Sequence, residues 1–135
     1  MRCSSLVLVL LVLSGCESAQ KMSSHLEVAT PITLTAKQIS SIRAGVMKSL
    51  KDQDLQAVSV GRMLAGRTST SVIVCGYVNG KNSSGEYVGE KPFHGFFMGM
   101  DNASGFIVTG TGGTDNDNAA TFEVCRRSGL NLTPS

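Results

Sequence analysis

Seven consecutive residues do most to limit what this chain can become: Val72-Ile73-Val74-Cys75-Gly76-Tyr77-Val78. Successive side chains of a strand point to opposite faces, so a run that is apolar at nearly every position is apolar on both sides. Such a run belongs at the centre of a sheet whose two faces are both covered. The rest of the chain must therefore supply neighbouring strands and covering elements. Hydrophobic residues make up 41% of the sequence and charged residues 16%, a balance that argues for a packed domain over disorder. At 135 residues the chain has room for one small domain.

The neighbouring segments read as follows. Thr35 is an N-cap with Gln38 three residues on, the spacing of a capping box. Ile39, Ile42, Val46 and Leu50 then recur on one helical face. Asp52-Gln53-Asp54 ends that helix, and residues 57–65 read as a strand. Gly66-Arg67-Thr68-Ser69 turns the chain into the central strand, 70–78. The polar stretch Asn79 to Lys91, with Gly80, Gly85 and Gly89, reads as a long loop. Residues 93–100 form a third strand. Asp101-Asn102-Ala103-Ser104-Gly105 is a hairpin turn signal, and 106–111 a fourth strand. Asp117 or Asn118 can cap a short last helix, 119–128, closed by Gly129. The expected fold is α+β: a four-stranded antiparallel meander with an N-terminal and a short C-terminal helix on one face, over residues 35–135.

The N-terminus reads as an address. Leu6 to Leu13 are eight apolar residues without a break, far short of the roughly 20 a spanning helix needs. They end in Leu13-Ser14-Gly15-Cys16, which resembles the lipobox of bacterial lipoproteins. The resemblance implies a signal peptide over 1–15, cleavage before Cys16, a diacylglycerol thioether on Cys16, and fatty acylation such as palmitate. It also implies a lipidated flexible tether over 16–34. By resemblance to Gram-negative sorting, Glu17 in place of Asp directs the protein to the outer membrane, facing the periplasm. The competing reading is an ordinary signal peptide with Cys16 incidental. The polar stretch Glu17 to Ser24 speaks for the tether.

Four cysteines occur, and Cys3 would leave with the signal while Cys16 takes the lipid. Cys75 and Cys125 remain, an even pair in an oxidising compartment, and a disulfide between them is expected. Neither has a second Cys or His at metal-ligand spacing, so no metal or other cofactor is expected.

Few motifs carry chemistry. There is no Gly-x-Ser-x-Gly elbow and no His-Glu-x-x-His. The Asp115–Asn118 stretch lacks the Gly and Glu of a calcium hand loop. His25 lies in the tether; His94 lies in a strand with no orienting partner visible nearby. The segment from Cys75-Gly76-Tyr77-Val78-Asn79 through Lys81-Asn82 and Gly85-Glu86-Tyr87 to Pro92-Phe93 resembles a stretch found in small exported bacterial proteins of unassigned function. That resemblance implies no activity. Asn79, Lys81, Asn82, Glu86 and Tyr87 are nonetheless a dense set of donors and acceptors beside a rigid strand, and so a candidate binding loop. The competing reading is that these residues only shape turns.

The formal charge is +2, too small an excess to point to a nucleic-acid partner. Two functions follow from different classes. One is a non-catalytic envelope domain, held to the membrane by its lipid, that binds an envelope protein or a cell-wall partner. The other is a small periplasmic hydrolase using His94 with Glu86, Glu90 or Asp101.

Overall fold

The structure, a computed structural model, describes residues 27–50, 55–99 and 104–135. Its elements run β1 (Thr30–Ile32), α1 (Ala36–Ser49), β2 (Leu55–Arg67), β3 (Val72–Asn82), β4 (Tyr87–Met98), β5 (Ser104–Thr111) and α2 (Asp115–Arg127). The strands form one sheet in the order β1-β2-β3-β4-β5, and every neighbouring pair is antiparallel. The α+β class and the meander are as expected.

The sheet has five strands, not four. Thr30-Pro31-Ile32, assigned to the tether, pairs with Arg67, Gly66 and Ala65 of β2. Just before it, Ala29 is buried and its N–H donates to the Ser128 carbonyl at 2.9 Å. The folded body therefore begins well before residue 35. Three residues are too few to show a period, and Pro31 is at home on an edge strand because it has no N–H to leave unpaired. The signal segment 1–15, Cys16 and the rest of the expected tether up to residue 26 lie outside the described residues.

The helices cover opposite faces of the sheet, contrary to the expectation of one shared face. Val72, Val74 and Val78 of β3 pack with Ile42, Val46 and Leu50, and with Phe93, Phe97 and Phe106. The alternate residues Ile73, Cys75 and Tyr77 pack with Phe122 and Cys125 of α2 and with Leu130 and Leu132 beyond it. A central strand that is apolar on both sides needs a cover on each, and one helix goes to each side.

Helix α1 starts as its sequence specifies. The Thr35 hydroxyl accepts the Gln38 N–H, and the Gln38 side chain accepts the Thr35 N–H at 2.7 Å. Helix α2 starts earlier than expected. Its N-cap is Thr114, with Asp117 completing a second capping box, so Asp117 is the third helical residue and not the cap. The chain turns out of α2 at Gly129, whose φ is +79°, as a C-terminal glycine does.

Cys75 of β3 and Cys125 of α2 are joined by a disulfide, with their Cα atoms 6.0 Å apart. Both are fully buried. The bond fastens α2 to the middle of the sheet.

Candidate functional site in the β3–β4 hairpin

The stretch expected as a loop, 79–91, is a β-hairpin. Strand β3 runs on to Asn82 and β4 starts at Tyr87, leaving Ser83 to Glu86 as the turn. The register pairs Asn79 with Glu90 and Lys81 with Tyr87, with a bulge between. Polar residues on both faces hid these strands. From Asn79 on, polar side chains and glycine occupy both faces, so no period-2 pattern survives. No residue from 79 to 91 belongs to either buried cluster.

The turn is held by Asn82. Its Oδ1 accepts the N–H of Ser84 at 3.1 Å and of Glu86 at 3.0 Å. Its backbone N–H donates to the Glu86 carbonyl, and its carbonyl accepts the Gly85 N–H. Gly85 has φ +81°, a left-handed conformation that a side chain would strain. Asn79 holds the bulge, its Oδ1 accepting the Gly89 N–H at 3.1 Å. Asn79 and Asn82 therefore shape the turn and the bulge, as the competing reading has it.

Lys81 and Tyr87 are different. The Lys81 Nζ lies 5.7 Å from the centroid of the Tyr87 ring, a cation–π distance. Tyr87 is 58% exposed and Val88 beside it is also exposed. Glu86 stands exposed at the end of the turn. Sequence reasoning overlooked Val88, whose position next to Tyr87 was the available signal. The structure thus brings together a cation and a phenol on one face of the hairpin, and exposes an aliphatic side chain next in sequence.

His94 sits elsewhere, in β4 between Cys75 of β3 and Gly110 of β5. Its ring packs against Gly110, where any Cβ would collide with it. Nδ1 is buried without a hydrogen-bond partner among the described residues. Burial lowers the imidazole pKa below its ordinary value, with no offsetting charge. Glu90 is four residues back along β4, about 13 Å of strand, and Glu86 is farther still. Neither carboxylate is set to orient this imidazole. Asp101, the third carboxylate named for that role, lies outside the described residues, as does His25.

A third cluster lies on the α2 face. The Tyr77 hydroxyl donates to the Thr133 carbonyl, and Arg62 Nη1 donates to the Thr133 hydroxyl at 3.3 Å. These contacts strap the chain after α2 across β2 and β3. Among the described residues no group of three or more His, Cys, Asp or Glu is placed to hold a metal ion. No described helix is long and apolar enough to cross a membrane.

Comparison with protein families, with curated proteins and with solved structures finds no match to this chain.

Proposed function

We propose that this chain is a bacterial envelope lipoprotein, anchored through Cys16, whose folded domain is a non-catalytic binding module. The β3–β4 hairpin is its recognition element, with Lys81 and Tyr87 as the contact residues and Glu86 at their edge. The partner is an envelope protein or a cell-wall component, and the setting is the periplasmic side of the outer membrane. The observation that carries the reading is the hairpin itself: residues 79–91 add nothing to either core, yet they hold an exposed Tyr beside a Lys. Tyr is a side chain on which interfaces concentrate their energy. The buried Cys75–Cys125 pair supports an exported setting, where disulfides persist.

The hydrolase reading has less support. His94 has a buried nitrogen with no orienting partner among the described residues, whereas a general base needs its partner within hydrogen-bond reach.

Two substitutions test the proposal. Lys81→Ala with Tyr87→Ala leaves the turn-holding Asn82 in place. The double variant should melt within about 0.5 kcal/mol of the parent, as surface changes do, and should lose the partner recovered from envelopes with the lipidated protein. Recovery of the same partner by the variant sinks the recognition role. Incorporation of labelled palmitate by Cys16→Ser sinks the anchor.

A further inference from the structure

The sheet has two unlike ends. One is the hairpin end, where β3 turns into β4. At the other end lie the β2–β3 turn, the end of β4 and the start of β5. The described chain begins at this second end: Glu27 accepts the N–H and hydroxyl of Ser69 in the β2–β3 turn, at 3.0 and 2.6 Å. Three of the large hydrophobic side chains that stand exposed also belong here. Val28 is 70% exposed, Met98 at the end of β4 is 50% exposed, and Ile107 in β5 is 41% exposed. Met98 borders two open grooves. One, of about 680 Å³, is shared with Thr70, Ser71 and Phe96; the other, of about 470 Å³, with Lys48, Ala44 and Phe106.

Charge divides the same way. Helix α2 runs from the hairpin end to the end that holds Glu27. Its first turn carries Asp115 and Asp117, its last turn Arg126 and Arg127. Of the six described carboxylates, Glu86, Glu90, Asp115 and Asp117 lie toward the hairpin. The Glu27 end has Lys48 in the groove beside Met98 and the two arginines of α2, which share the one carboxylate of Glu123 at 2.8 Å and so keep a net positive charge.

We infer that the Glu27 end rests on an anionic bilayer surface, with Met98, Ile107 and Val28 at the interface, and that the hairpin therefore points away from the membrane. This orientation rests on the lipid-anchor reading. Only ten residues separate Cys16 from Glu27, and however arranged they span no more than about 40 Å. Apolar side chains beside cations are the combination that binds the headgroup boundary, burying their apolar part roughly 5–10 Å deep. The opposite end sets four carboxylates against Lys81 and Lys91, and would be repelled by the same surface. The domain thus presents its recognition hairpin outward and uses its other end as a foot.

The chain contains no Trp, so one introduced indole reports its own depth. Full-length lipidated protein carrying Met98→Trp, Ile107→Trp or Tyr87→Trp is reconstituted in phosphatidylethanolamine–phosphatidylglycerol vesicles with brominated acyl chains. Palmitate incorporation and thermal melting are measured on each preparation. Brominated lipid should roughly halve the emission of Met98→Trp and Ile107→Trp, as expected for interfacial depth, and leave Tyr87→Trp nearly unchanged. Two probes on different strands keep the result readable if one variant fails to melt cooperatively. Palmitate incorporation with equal or absent quenching at all three positions overturns the orientation and leaves the anchor standing. Absence of palmitate overturns the anchor, and the orientation with it.

Discussion

On the α1 face, ten of the described residues, from α1 with its cap and from four strands, are buried against one another without covalent help. On the α2 face the buried set among the described residues is five, two of them the cysteines of the disulfide. The first face closes with three phenylalanines: Phe106 lies 6.2 Å from Phe93, edge-on, and 5.2 Å from Phe97. The second closes with a covalent bond, the Tyr77–Thr133 hydrogen bond and the tilted Tyr77–Phe122 pair. The difference shows how a small domain covers both sides of one sheet. Apolar area suffices for one helix. The other helix, mostly polar, is stapled on, as small domains with little core often require.

The largest effect should come from the α1 face. Phe97 is fully buried among Val72, Val74 and Phe106, and Phe97→Ala should cost about 3–5 kcal/mol. A domain of this kind has roughly 5–15 kcal/mol in all, so the variant should unfold at a markedly lower urea concentration. A shift smaller than that of the disulfide variant would reverse the ranking of the two faces.

The disulfide comes next. It closes a span of 50 residues, for which chain entropy gives about 4 kcal/mol, and measured values are commonly about 2–4. Cys75→Ala with Cys125→Ala should lower the melting temperature. It should also speed hydrogen exchange in α2 far more than in α1. Equal acceleration in both helices would mean that the two faces form one cooperative unit.

These contrasts mark what was legible in the sequence. Thr35 with Gln38 specified the start of α1 outright, because a capping box is a local device. Cys75 and Cys125 were expected to pair because the lipobox reading set Cys3 and Cys16 aside, and the pair is joined in the structure. The run Val72–Val78 placed the central strand but not the helices, since a strand apolar on both sides does not say which helix covers which. Asn79 to Lys91 was opaque for another reason: its strands are held by backbone pairing and by the Asn79 and Asn82 side chains, and no buried face marks them. Lys81 and Tyr87 were named from composition, and only the register puts them side by side.

A smaller effect separates the faces by pH. His94 belongs to the α2 face, paired with Cys75 across the sheet. Burial lowers its pKa, so between the folded and unfolded values the unfolded chain binds more protons. Stability from this group is present above the unfolded imidazole value, about 6.5, and is lost as pH falls below it. The melting temperature should therefore decline from pH 7 toward 5, above the range where carboxylates titrate. His94→Gln should flatten that slope, and exchange in α2 should carry more of the pH response than exchange in α1. An unchanged slope would place the acid sensitivity elsewhere.

The smallest effect compares the two caps. Thr35 and Thr114 each accept the N–H of the third helical residue, and in each helix that residue's side chain accepts the cap's own N–H. Losing such a cap costs about 1 kcal/mol in either helix. Their settings differ. Gln38 in α1 is buried, whereas Thr114 and Asp117 are exposed, so water can take over the N–H groups freed by Thr114→Ala more easily than those freed by Thr35→Ala. Asp117 also keeps its favourable place at the positive end of α2 after the threonine is gone. Urea melts should therefore show a larger loss for Thr35→Ala. In protein lacking the disulfide the gap should narrow, because α2 then depends more on its own first turn. A larger loss for Thr114→Ala in the oxidised protein would mean that the staple leaves α2 as dependent on its local hydrogen bonds as α1 is on its core.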